Sequence, residues 1–156
     1  MHRISRTASF VAGAVLGACA LAGGVASASG GISSTDLLRA PLQGSQLSDP
    51  PLFGLNRGGA PWVISDGSAR LGADGGLRVK VVGLIIPTQH ANPHATLSAT
   101  VVCNGMAVAT TRPVPFSAAG DAVVDTHVML PERCLAPAVL VNPLSNVGVY
   151  IAATGR

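Results

Sequence analysis

The chain has 156 residues, of which 48% are apolar and 11% charged, and a formal net charge of +3. Two of its ten basic residues, Arg3 and Arg6, precede any mature start, which leaves 10 − 2 = 8 basic against 7 acidic residues and a net charge of +1. The remainder, from Arg39 to Arg156, are scattered singly in the sequence, so no basic stripe for nucleic acid is expected, and the length suits one domain.

His2, Arg3 and Arg6 open the chain, Ala8 to Val25 is an almost unbroken Ala/Gly/Val/Leu run, and Ala26-Ser27-Ala28 follows. This is the n-region, h-region and small-residue cleavage site of a secretory signal peptide, predicted over residues 1–28 with a mature start at Ser29. Two alternatives share these residues. One is an uncleaved membrane anchor, since the run approaches spanning length. The other is a lipoprotein leader, in which Leu16-Gly17-Ala18-Cys19 is a lipobox and Cys19 the lipidated N-terminus. Beyond the leader no apolar run is long enough to span a membrane.

Residues 29–59 are rich in Gly and Pro and are predicted to be a flexible or loosely docked arm. Leu37, Leu38, Leu42, Leu47, Leu52, Phe53 and Leu55 argue that part of it lies against the domain.

The segment 60–156 reads as short strands separated by turn clusters. Trp62-Val63-Ile64 and Ala69-Arg70-Leu71 are followed by Asp66-Gly67 and Asp74-Gly75-Gly76 turns, and Leu77 to Ile86 is the longest strand expected. Leu97, Ala99, Val101 and Cys103 alternate with Thr96, Ser98, Thr100 and Val102, predicting a strand with one buried face. Asn104-Gly105 then supplies a type I′ turn into a second apolar run, so a hairpin over residues 95–108 is the element around which the rest is arranged. Pro113-Val114-Pro115 suits an edge or connection. Residues 121–130 alternate again, with Ala122, Val124, Thr126, Val128 and Leu130 on one face, and Ala138–Val141 and Val147–Ala153 are the last strands.

Removal of the leader takes Cys19 with it, and the even pair Cys103 and Cys134 in an exported chain reads as one disulfide. About seven to nine short strands without helical periodicity predict an all-β fold, an antiparallel β-sandwich of immunoglobulin-like shape, with a partly open β-barrel as the alternative. Trp62 precedes both cysteines, unlike the Trp between the cysteines of a true immunoglobulin domain.

WVISDGSARL at 62–71, LRVKVVGLIIP at 77–87, the CNG turn, RCLAPAVLVNP at 133–143 and YIAATG at 150–155 carry a resemblance to small exported β-domain proteins of actinobacteria. The resemblance covers residues 60–156 and implies export and a shared fold. It implies no activity and no catalytic residue.

His90, His94 and His127, with Asp125 two residues from His127, are the residues from which a zinc or copper site would be assembled. A His-x3-His pair presents both imidazoles on one face only in a helix, and Asn92-Pro93 forbids one there. No serine stands in a Gly-x-Ser-x-Gly elbow, and the close carboxylate pairs, Asp121 with Asp125 and Asp66 with Asp74, fit turns and strand ends. Phe53, Trp62, Phe116 and Tyr150 are too few for a sugar-binding platform unless they are coplanar and exposed, and Trp62 within an apolar triplet belongs to a core. No phosphate loop and no cofactor motif is present. The expectation is therefore a secreted, non-catalytic interaction or structural module with an extracellular or cell-envelope partner, contacting it through a strand edge or the 29–59 arm. The alternatives are a small metal-dependent protein using His90, His94 and His127, or a surface lipoprotein anchored at Cys19.

Overall fold

The computed structural model describes residues 35–155. The predicted leader, the lipidation alternative at Cys19 and the first residues of the predicted arm lie outside the described residues. From Thr35 on, the chain is nearly all β, with strands β1 (Asp36–Gly44), β2 (Asn56–Arg57), β3 (Asp66–Gly72), β4 (Gly76–Val82), β5 (Thr96–Cys103), β6 (Met106–Thr110), β7 (Val114–Pro115), β8 (Ala122–His127), β9 (Ala138–Pro143), β10 (Val149–Tyr150) and β11 (Ala152–Thr154). Nine of these form one sheet in the order β6-β5-β9-β11-β1-β3-β4-β8, with β7 also paired to β5, while β2 and β10 make a separate parallel pair. Every pairing in the large sheet is antiparallel. The sheet curls into a half-barrel. Leu71, Leu77, Val79 and Val81 of one flank share a core with Leu97, Ala99, Val101 and Val141 of the other, so its section has two layers, as in a sandwich, although the path of strands is continuous.

The hairpin forms where the sequence places it. Asn104 and Gly105 have φ of 56° and 77°, and Cys103 faces Met106 across the turn. A bulge at Val101/Val102 then shifts the register along β6. Cys103 is fully buried and bonded to Cys134. Asn104 reinforces the junction: its Nδ2 donates to Arg133 O (2.8 Å), its Oδ1 accepts from Leu135 N (3.0 Å), and its backbone N–H donates to Leu135 O (2.8 Å). One residue thus makes the turn and clamps the connection after β8.

Four expectations are corrected. The 29–59 segment is not an arm over its described part: β1 is an interior strand, paired with β3 through Asp36–Pro41 and with β11 through Leu42–Gly44. Its Gly and Pro content misleads because Pro41, which has no N–H, sits where the strand passes from one partner to the other. β5 has two buried faces, not one. Leu97, Ala99, Val101 and Cys103 point into the main core, and Val102 packs on the other side with Leu55, Leu140, Tyr150 and Ala153. Residues 45–58 supply part of that cover. Tyr150 Oη donates to Pro50 O (2.8 Å), and Gly58 N donates to Tyr150 O (2.8 Å). Trp62-Val63-Ile64 is not a strand of the sheet, since Val63 makes only an isolated bridge to Ile85, and the strand expected to reach Ile86 ends at Val82. A Cβ at Gly44 would overlap the Trp62 carbonyl, which shows how closely this segment crosses the end of β1.

Ser45 Oγ, at the start of the cover, is buried without a partner, whereas the polar side chains of β5 and β9 beneath it are paired. The buried Asn142 of β9 accepts from Thr100 Oγ1 (2.8 Å) and donates to Val149 O (2.8 Å), and Thr100 Oγ1 also lies 3.0 Å from Thr110 Oγ1. This relay ties four strands at one level, where an unpaired amide would be costly.

The disulfide closes a loop of 31 residues, for which chain entropy gives about 3–4 kcal/mol. The double variant Cys103→Ala/Cys134→Ala is expected to lose about that much stability in urea unfolding, with amide exchange rising first in residues 131–137. Unchanged exchange there would mean that the Asn104 clamp alone holds the junction.

Candidate functional site

The three histidines do not meet. His90 caps the 3-10 turn Pro87–Gln89 in a left-handed conformation and is exposed. His94 lies four residues on, in a loop fixed by the buried Asn92, whose Nδ2 donates to His94 O (2.6 Å) and Ser117 O (2.9 Å) and whose Oδ1 accepts from His94 N (2.9 Å). His127 stands at the other end of the β4/β8 ladder, opposite Gly76, whereas the His90–His94 loop follows the Val82 end of β4. Among the described residues no three His, Cys, Asp or Glu side chains are grouped to hold a metal ion. The three-histidine site is corrected on that ground: β8 runs antiparallel to β4 and carries His127 away from the loop.

The carboxylates are likewise engaged one by one. Asp121 Oδ1 caps Gly83 N (2.9 Å), Asp74 Oδ1 caps Gly76 N (3.0 Å), Asp125 pairs with Arg78 (2.7 Å) and Asp66 with Lys80 (3.2 Å). Of the four aromatic residues considered for glycan binding, Trp62, Phe116 and Tyr150 are buried and only Phe53 is exposed, so they form no platform.

The outward face of β1, β3, β4 and β8 gathers what the sequence scatters. Arg39 faces Arg70, Arg70 faces Arg78 and Arg78 faces Asp125, placing three guanidinium side chains in a row across adjacent strands, with Lys80 one level away. The signal for this row is the turn at Asp74: Arg70 and Arg78 are equidistant from it, and a hairpin sets equidistant residues opposite one another. Like charges opposed in this way repel, and carboxylates offset them here. Asp36 contacts both Arg70 (2.7 Å) and Arg39 (3.4 Å), and Asp125 and Asp66 take the other two cations.

A second feature is the seam between the two ends of the sheet. β7 comes alongside β8 at one end without pairing to it, and toward residues 125–129 the edges part to leave a cleft of about 440 Å³. Val114, Val124 and Val128 contribute apolar surface to it, and Arg112, Asp125 and His127 line it as well. Val128 N donates to Gly75 O (2.9 Å), which fixes the phase of the β4/β8 ladder. By alternation Thr126, Val124 and Ala122 bond to β4, and the backbone groups of Val123, Asp125 and His127 point into the seam. Thr111 N donates to Ala99 O (2.9 Å), so by the same alternation Thr110 of β6 turns its backbone groups outward. Sequence reasoning missed the seam because it arises from pairing order, which alternation alone does not specify.

No protein-family model, curated protein or solved structure matches this chain.

His94 is half-buried and its ring stacks on Trp62, with centroids 5.8 Å apart and planes at 21°. Burial pushes its pKa below the ordinary 6.5, because taking the imidazolium out of water is unfavourable. The folded chain therefore holds the proton less tightly than the unfolded chain, and stability present above the unfolded value is lost as pH falls through it toward the folded value. His94→Phe keeps a ring against Trp62 and removes this titration, so its melting temperature is expected to vary less than that of the parent between about pH 7 and pH 5. Parallel curves for the two proteins would refute the assignment.

Proposed function

We propose that this protein is an exported, non-catalytic interaction module that receives an extended polypeptide segment in the seam between β6 and β8. The observation that carries the reading is the pair of sheet ends flanking one cleft, with the backbone N–H and C=O groups of Asp125 and His127 turned into it and those of Val123 on the same edge next to it, all paired to no strand among the described residues. Such an edge binds by adding a strand: main-chain hydrogen bonds supply affinity, and alternate side chains supply selectivity. Val114, Val124 and Val128 would take the inward side chains. Arg112, which makes no ion pair among the described residues, is complementary to an acidic residue of the guest, whereas Asp125 is already held by Arg78. Export is supported by the basic start, apolar run and Ala26-Ser27-Ala28 site, and no helix among the described residues is long and apolar enough to cross a membrane.

Two measurements test the reading. Intact-mass analysis of the secreted protein is expected to give a chain beginning at Ser29, and a diacylglycerol-modified Cys19 would replace the soluble form with a surface lipoprotein. For the seam, random peptides displayed on phage are selected on the folded protein. Enrichment is expected for extended sequences that alternate apolar residues and carry a carboxylate, with affinity falling about tenfold in Arg112→Ala, the scale of one charge-assisted hydrogen bond. Val123→Pro removes an N–H that faces the seam but leaves the β4 ladder whole, so it should abolish peptide binding without lowering the melting temperature appreciably. Peptides that bind Val123→Pro as well as the parent would defeat strand addition.

A further inference from the structure

Trp62 is only 2% exposed, yet its indole Nε1–H is taken by no acceptor among the described residues. Its backbone is well bonded, with N donating to Ser45 O (2.8 Å) and O accepting from Gln46 Nε2 (2.9 Å), so the segment is fixed and the indole is held in one place. The nitrogen itself is not enclosed, since the enclosed side-chain atom without a partner among the described residues is Ser45 Oγ, so this edge of the indole is open and its N–H is available to an acceptor that enters beside it.

Beside that edge of the ring lies a cavity of about 340 Å³, at the small end of the range for ligand pockets. Ile86, Pro143, Val149 and Ile151 make its apolar wall, and half-buried His94 forms part of the rim. No Asp, Glu, Lys or Arg among the described residues lines it. Gly58 is the reason the indole edge is reachable. It lines the cavity, and a Cβ there would sit 2.9 Å from Trp62 Nε1, 3.3 Å from Trp62 Cδ1 and 3.3 Å from Ile151 Cγ2, closing the gap over the N–H. The parallel pairing of β2 and β10 holds that position, through Gly58 N donating to Tyr150 O (2.8 Å).

We infer that this cavity is a binding site for a small, uncharged, mainly apolar molecule carrying one hydrogen-bond acceptor, a ketone, ester or ether oxygen that accepts from Trp62 Nε1–H. The apolar wall supplies the affinity, and the indole donor at its edge fixes the orientation. A charged ligand is disfavoured, because no ionised side chain among the described residues lines the cavity to replace the water it would lose. The site is separate from the seam in both residues and chemistry, and neither depends on the other.

Trp62 is the only tryptophan, so one indole N–H resonance in a proton–nitrogen NMR spectrum reports on this site alone. Acetophenone and cumene, which have similar shapes but differ in having and lacking a carbonyl, serve as probes. Acetophenone is expected to move the indole proton downfield and saturably, and cumene to bind saturably without that downfield displacement. Gly58→Ala should abolish both responses. Ala60→Leu fills the cavity from its half-exposed rim and should do the same, so the test survives if Gly58→Ala fails to fold. The inference is overturned if acetophenone gives no saturable downfield shift, if cumene gives the same downfield shift, or if a folded filled variant responds like the parent.

Discussion

The fold depends on one strand with two allegiances. The first part of β1 pairs with β3 and the last three residues with β11, and the change falls at Pro41–Leu42. Among the described strands, only this one joins the β3-β4-β8 flank to the β11-β9-β5-β6 flank. A proline in the middle of a central strand would leave a gap in the ladder, but at a change of partner no ladder bond is asked of it. The twist that separates the two flanks there brings Leu71, Leu77 and Val79 over Leu97, Val101 and Val141, and the half-barrel follows from that crossing. Because β11, the last strand described, must insert between β1 and β9, the core closes only once β11 has joined strands far from it in sequence. Pairings of such long sequence separation form slowly.

Burying both faces of β5 has its own consequence. A strand covered on one side needs one layer over it, and β5 and β9 need two, so the stretch from Ser45 to Gly58 must pack instead of floating. Leu52 and Leu55 bring apolar cover, and the Tyr150–Pro50 and Gly58–Tyr150 hydrogen bonds hold it in place. The relay from Thr110 through Thr100 and Asn142 to Val149 allows polar residues to lie under this cover at no cost in unmet hydrogen bonds. The same packing shapes the small cavity beside Trp62, since Gly58 ends the cover and leaves the indole edge open.

What could be read in the sequence was local. Asn104-Gly105, the alternation of 122–128 and the even cysteine pair each act over a few residues or by simple exclusion, and the structure contains the hairpin, the half-buried edge strand and the disulfide they imply. β1 was hidden because DLLRAPLQG combines a proline with weak alternation, so its place between β11 and β3 is decided by tertiary pairing and not by propensity. The second buried face of β5 was hidden for a related reason: Thr100 and Ser98 look like solvent-facing residues unless Asn142 and the 45–58 cover are known. The arginine row was within reach, given the turn at Asp74, but its third member, Arg39, required β1.

The charges also separate the surface that faces water from the surface that lacks a partner. On the outer face each cation has its carboxylate: Asp36 for Arg39 and Arg70, Asp125 for Arg78 and Asp66 for Lys80. These exposed pairs contribute little stability individually, but they cancel the repulsion of three opposed arginines and leave the face without a strong demand for an anion. They also place charge along β8, where Asp125 discourages a second copy of the chain from pairing in register across the edge, since two such strands centred on Asp125 would set carboxylate against carboxylate. Within the seam the balance differs. Arg112 has no carboxylate among the described residues, and backbone groups on both β6 and β8 turn toward the cleft. The outer face thus ends in matched charges and closed ladders, whereas the seam keeps a cation and backbone groups that no described residue takes up, and this contrast sets the two surfaces of one sheet apart.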